Sequence, residues 1–184
     1  SEKRTTLLVF GGSQGAKTLN ERVPEALQLA AASLPDFQVI HLTGQEDNTA
    51  YEAMYRSAGI PALVKQAETQ MHLCYQAADL VLCRAGAATC CELALFGKPA
   101  LLVPLPSAAD NHQAINAQAF AERGAAILLP QENLTPTVLK EQLCDWLRSP
   151  QKRADTAKAA TELAKPDAAA ALADLVCTNS NLPR

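Results

Sequence analysis

Thr5-Thr6-Leu7-Leu8-Val9-Phe10-Gly11-Gly12-Ser13-Gln14-Gly15-Ala16-Lys17-Thr18 is the stretch on which the fold turns. A short apolar run breaks into glycines, and a helix-like pattern follows at once. Leu7 to Phe10 are apolar at successive positions, so both faces of the strand need cover, as in the interior of a parallel sheet. Five further runs repeat the theme: Phe37 to Leu42, Pro61 to Val64, Asp79 to Cys83, Ala100 to Pro104 and Ala125 to Leu129. Helix patterns fall between them, near 15–33, 46–58, 69–78, 87–97, 110–123 and 135–148. Strands and helices alternating in this way, joined by right-handed crossovers, predict an α/β fold with a Rossmann-like doubly wound parallel sheet.

The pattern changes after Pro150. Residues 151–184 hold no strand candidate, and Lys165-Pro166-Asp167 breaks them into two helices before a frayed tail from Thr178 to Arg184. The expected organisation is one domain: 1–150 forms the Rossmann-like layer and 151–184 its terminal helices and tail. The chain has 184 residues, 48% of them hydrophobic and 19% charged, so a sizeable core is possible. Its 35 alanines favour helix. A net charge of −3, with no basic run, argues against a nucleic-acid polymer as the main partner. The apolar runs Ala100 to Pro106 and Ala168 to Ala173 fall far short of the ~20 residues that a membrane span needs. No signal-peptide pattern follows Ser1.

Six cysteines, at 74, 83, 90, 91, 144 and 177, form no C-x-x-C pair. They read as buried, reduced thiols of a cytoplasmic protein rather than zinc ligands. Cys90 and Cys91 should point to different sides of a helix.

Ligands of an open parallel sheet bind outside the carboxyl ends of its strands. That selects four loops: Gly11 to Lys17, Thr43 to Asp47, Arg84 to Thr89 and Pro104 to Gln113. The first has glycines that let the backbone approach a ligand, and it opens a helix whose free N–H groups favour phosphate. Ala16 stands where a P-loop needs glycine, and G-x-G-x-x-G is absent. Strand two ends in His41-Leu42-Thr43-Gly44, with no acid for an adenosine ribose. A diphosphate loop of another kind is the remaining ligand-binding reading, beside a plain glycine turn. In the next motif loop, Gly86 permits an unusual backbone or a close approach, and the N–H groups of Ala87, Ala88 and Thr89 are free at a helix start. Arg84 offers a fork of donors to an anion, and Glu92 offers a carboxylate for a ribose diol. The alternative pairs Arg84 with Glu92 as surface charges. In the last loop Asp110 is the expected N-cap, and Asn111, His112, Gln113 and Asn116 cluster as sugar-hydroxyl ligands. His112 alone reads equally well as a surface histidine. His41 is expected in the sheet and His72 on a helix face. No catalytic triad, paired-carboxylate spacing or metal cluster stands out.

Together the three motif loops resemble the C-terminal half of a known family. This is the peptidoglycan glycosyltransferase that adds N-acetylglucosamine to undecaprenyl-pyrophosphoryl-N-acetylmuramyl-pentapeptide, making lipid II. The resemblance is carried by Gly11 to Ala16, by Arg84-Ala85-Gly86-Ala87 with Thr89 and Glu92, and by Ala109 to Gln113 with Asn116-Ala117. It runs from about Thr5 to Val176, and Lys165 to Ala169 look like the start of that family's last helix.

The resemblance implies one half of a GT-B fold that binds the donor, UDP-N-acetylglucosamine, with neither cofactor nor metal. Gly12, Ser13, Gln14 and Gly15 would meet the diphosphate. Gly86 to Thr89 would offer backbone donors, with Arg84 in the same pocket. Glu92 would hold the uridine ribose, and Gln113 and His112 the sugar. The uracil-reading loop is implied at Glu68 and Met71, but Ala67-Glu68 replaces the family's usual aromatic and aliphatic pair. Some family members have glutamine at the position of His112. The catalytic base, lipid-linked acceptor site and membrane-docking surface belong to the family's N-terminal domain, which this sequence lacks. The implied location of the whole protein is peripheral, on the cytoplasmic face of the plasma membrane, and the sequence reads as a truncated chain. Another UDP-sugar GT-B transferase, an epimerase or a non-enzymatic nucleotide-binding module are the alternatives.

Overall fold

Leu7 and Val9 of the first strand face one layer of core, and Leu8 and Phe10 face the other; all four are buried. A strand apolar on both sides has to lie inside a sheet covered by helices. The computed structural model describes residues 4–12, 15–34 and 36–180. Its six strands are β1 (Thr5–Phe10), β2 (Phe37–Leu42), β3 (Ala62–Lys65), β4 (Leu80–Cys83), β5 (Ala100–Leu102) and β6 (Ala126–Leu128). All pair in parallel, in the order β3-β2-β1-β4-β5-β6. The order reverses between β1 and β4, and that switch point opens a crevice at the carboxyl edge.

The helices are α1 (Lys17–Ala30), α2 (Thr49–Ser57), α3 (Met71–Ala77), α4 (Ala87–Leu95), α5 (His112–Glu122), α6 (Pro136–Leu147), α7 (Pro150–Glu162) and α8 (Ala168–Ser180). Leu19, Val23 and Leu27 of α1 meet Leu139, Leu143 and Trp146 of α6 in one core layer. Tyr75 of α3, Leu93 of α4 and Ala117 of α5 fill the other. Thr135 caps α6 by accepting from the Val138 N–H at 3.2 Å, and proline starts both α6 and α7. α7 packs on α4 through Gly97, where an added Cβ would sit 2.5 Å from Thr161 Oγ1.

Three expected boundaries are corrected. β5 stops at Leu102 rather than Pro104, since proline has no N–H for the ladder. Helix α8 continues to Ser180, past the expected fraying point, and the Thr178 hydroxyl bonds back to Asp174 O at 2.7 Å. Asp110 does not cap α5. It has φ 49° inside a 3₁₀ turn (Ala109–Asn111), Asn111 follows at φ 56°, and the helix begins at His112. The cysteine expectation holds in part. All six thiols are free and Cys74, Cys83 and Cys90 are buried, but Cys91 is exposed and Cys144 and Cys177 are half-buried. Burial pushes the Cys90 thiol up to about 11. No helix among the described residues is long and apolar enough to cross a membrane.

Candidate functional site

The carboxyl ends of β1 and β2 bring Phe10 and Leu42 to the floor of a pocket of about 270 Å³. Gly12 enters from the first loop, Gln66, Ala67, Glu68 and Met71 from the segment after β3, and Thr89 and Glu92 from α4. Of the residues expected at a ligand site, Gly12, Glu68, Met71, Thr89 and Glu92 are therefore brought together. Ser13 and Gln14 lie outside the described residues. Gly15, Arg84, Gly86, Ala87, Ala88, His112 and Gln113 do not line this pocket.

Two helix starts stand at this edge. The first turn of α1 follows the glycine loop with no side-chain cap, and Gly15 N–H bonds Gly12 O at 2.9 Å to close the loop. α4 starts after Gly86, also without a side-chain cap. Backbone N–H groups in such turns are donors for an anion. Gly86 has an ordinary φ of −64°, and a Cβ there would touch only Thr89 Oγ1, at 3.8 Å. Of its two expected uses, the unusual backbone is thus set aside, and open space for a close approach remains.

Glu92 does not pair with Arg84. Its carboxylate accepts from the Tyr75 hydroxyl at 2.8 Å. Burial, then the neighbouring Cys83 and Glu92, holds the Tyr75 phenol well above its usual range, so it stays a donor. Phe10 meets the Tyr75 ring edge-on and Phe96 stacks on it, which fixes the donor's direction. Sequence reasoning missed Tyr75, because no local spacing relates it to Glu92 on another helix.

Arg84 is buried and turned into the protein. Its Nη1 donates to Val103 O and Pro104 O, both at 3.1 Å, and Nη2 to Gln131 Oε1 at 2.5 Å. The fork expected to face an anion instead ties the β4 exit to the β5 exit and to the segment after β6. Gln131 was also missed.

The last loop is organised by side-chain amides. Gln113 Oε1 accepts from Leu105 N–H at 3.0 Å, which leaves its amino group as a donor. Asn116 Nδ2 donates to Ala85 O at 3.0 Å and ties α5 to the turn before α4. His112 Nδ1 lies 2.7 Å from Ala109 O, an acceptor, so Nδ1 carries the proton. At the other end of the site Glu68 is folded back: Lys65 Nζ donates to Oε2 at 2.5 Å and Gln70 N–H to Oε1 at 2.9 Å. The lysine bond, foremost, holds the Glu68 carboxyl below its usual range. Among the described residues, no three His, Cys, Asp or Glu side chains gather as a ligand set for a metal.

Beneath the glycine loop lies a buried polar chain that sequence reasoning did not connect. Asn20, inside the apolar stripe of α1, contacts His41 of β2, which contacts Tyr55 of α2. A polar residue flanked by Leu19 and Val23 on a buried helix face was the available signal.

The fold is the Rossmann-like half of a GT-B glycosyltransferase. Residues 6–172 match the glycosyltransferase family 28 C-terminal domain, and the chain belongs to that family. It is 44% identical over 169 residues to a UDP-N-acetylglucosamine--N-acetylmuramyl-(pentapeptide) pyrophosphoryl-undecaprenol N-acetylglucosamine transferase of Anaeromyxobacter dehalogenans (strain 2CP-C), over 92% of this chain and 44% of the relative. A transferase of the same name from Stutzerimonas stutzeri (strain A1501) is 42% identical over 95% of this chain and 49% of its own length. The crystal structure of MurG from Acinetobacter baumannii superposes with a TM-score of 0.87 at 38% identity, over 97% of this chain and 51% of that one. The chain thus spans about half the length of the curated relatives it matches.

Proposed function

We propose that this chain is the donor-binding half of an inverting glycosyltransferase. The enzyme would move N-acetylglucosamine from UDP-N-acetylglucosamine to the 4-hydroxyl of a lipid-linked N-acetylmuramyl-pentapeptide in peptidoglycan synthesis. The observation that carries the reading is the switch-point pocket, where Gly12, Thr89 and Glu92 meet beside two uncapped helix starts. The names of the relatives supply the sugar and the acceptor.

In this reading Glu92, aimed by Tyr75, accepts from both ribose hydroxyls, and the Glu68–Met71 segment meets the base. The loop from Gly12 through Ser13 and Gln14 to Gly15 takes the diphosphate, with the N–H groups of Ala87, Ala88 and Thr89 on the same donor. Gln113 and His112 take the sugar hydroxyls. Arg84 acts by holding the wall of the site. As the glycosidic bond breaks, negative charge grows on the leaving UDP. Backbone donors fixed at two helix starts stabilise that charge without rearranging. The acceptor site, the base and the surface that docks on the cytoplasmic face of the membrane belong, in this proposal, to a second domain outside this chain.

Calorimetry with UDP and UDP-N-acetylglucosamine tests the reading. Binding should be seen for the 184-residue chain, with no turnover of lipid acceptor. Glu92→Ala should weaken UDP about tenfold to a hundredfold, because the charge-assisted bonds to the diol are lost. Gln113→Ala should weaken UDP-N-acetylglucosamine while leaving UDP unchanged. Absence of UDP binding by the parent chain would refute the proposal.

A further inference from the structure

Asn20, His41, Thr43 and Tyr55 are buried to within 1% of full exclusion from solvent, yet they are polar. Asn20 Nδ2 lies 2.8 Å from Thr43 O, His41 Nε2 lies 3.1 Å from Asn20 Oδ1, and the Tyr55 hydroxyl lies 3.0 Å from His41 Nδ1. The proton positions follow from chemistry. A carbonyl only accepts, so the amide must present its nitrogen to Thr43 O and its oxygen to His41. His41 Nε2 therefore carries the ring proton, Nδ1 is bare, and Tyr55 donates to it. The chain runs one way, from Tyr55 through His41 and Asn20 to the Thr43 carbonyl.

That carbonyl lies under the glycine loop. A Cβ on Gly15 would lie 2.3 Å from Thr43 O, so loop and carbonyl are already in contact. Thr43 is fixed from its other sides as well: its N–H donates to Lys65 O at 2.9 Å and its hydroxyl to Asn48 Oδ1 at 2.5 Å. Asn20 sits in the first turn of α1, directly after the loop, with its N–H on Ala16 O at 2.9 Å. One side chain thus joins the foot of the loop to the exit of β2.

We propose that Tyr55, His41 and Asn20 are positioning residues that hold Gly15 and Ala16, the foot of the glycine loop, in place for the diphosphate of a nucleotide donor. The inference rests on the diphosphate reading of that loop. None of the three touches the donor. They act through the Thr43 carbonyl, and their side-chain hydrogen bonds run to one another and to Thr43, not to Glu92 or Met71 at the nucleoside end of the pocket.

The test compares UDP with uridine by calorimetry on the 184-residue chain and two variants. Asn20→Asp keeps the shape but sets a second acceptor against Thr43 O, and Tyr55→Phe removes the first donor. Asn20→Asp is expected to weaken UDP about tenfold, Tyr55→Phe about threefold, and uridine less than about twofold in either. Equal weakening of UDP and uridine, or unchanged UDP affinity in a folded variant, overturns the proposal. Should the variants fail to fold, ¹⁵N NMR of His41 in the parent decides. The Nε2–H tautomer at pH 7 supports the chain of donors, and an Nδ1–H or charged ring overturns it. A parent that binds uridine but gains nothing from the diphosphate overturns the reading of the loop itself, whereas a parent that binds UDP with an unchanged split in the variants overturns only this inference.

Discussion

Gly15→Val is expected to lower stability by about 3 kcal/mol and to remove measurable UDP binding. Two costs combine. Gly15 has φ +76°, where a side chain costs roughly 1–2 kcal/mol, and a β-branched one fits worst. The new Cβ would also lie 2.3 Å from the Thr43 backbone oxygen, which Asn20 holds in place. Overpacking of this kind costs typically 1–3 kcal/mol. For a chain of this size the melting temperature should fall about 6–12 °C. Gly12→Ala is the control. Gly12 has φ +90°, but nothing lies within 4 Å of the added Cβ, so the conformational cost stands alone. Thermal melts followed by circular dichroism, with UDP titrations, separate the two. A Gly15 variant that melts with the parent and binds UDP would contradict the loop geometry.

Mild acid should destabilise the chain through His41. Burial, opposed only in part by Glu46, lowers its pKa from 6.5 to about 4. The Tyr51 ring also faces it, with its hydroxyl on Glu46, and Tyr55 bonds its Nδ1. The unfolded chain takes up a proton as pH falls through 6.5, and the folded chain does so only near 4. Stability is therefore complete above about pH 6.5, falls between 6.5 and 4, and levels off below. The span of about 2.5 units corresponds to roughly 3 kcal/mol. Urea unfolding at pH 7 and pH 5 should show most of this loss, and His41→Asn should flatten the profile across that interval. Equal slopes for parent and variant would show that His41 is not the group responsible.

Much of the architecture was legible because its signals are local. Leu7 to Phe10 are apolar on both faces, and Phe37 to Leu42 are mostly apolar, interrupted by Gln38 and His41, a pattern that marks interior strands. The start of α4 after Gly86 was legible as well, since a strand exit followed by a helix pattern marks it, and Glu92 falls on that helix beside the pocket. What could not be read depends on partners far away in sequence. Arg84 looked like a fork open to an anion, but its acceptors at 103, 104 and 131 arrive only when β5 and the segment after β6 fold against it. Tyr75 and Glu92 lie on separate helices, and their bond exists only because α3 and α4 share one core layer. Asp110 has the right chemistry for a cap, but two successive left-handed residues turn the chain first.

The three bonds of Arg84 bear on the rate and heat of ligand capture. All three acceptors are protein oxygens, so the wall these bonds hold loses its freedom during folding rather than at the moment of encounter. In the donor-binding proposal, a nucleotide arriving there would meet a surface already in shape, and its association would carry little of the ordering entropy that slows and weakens capture by mobile sites.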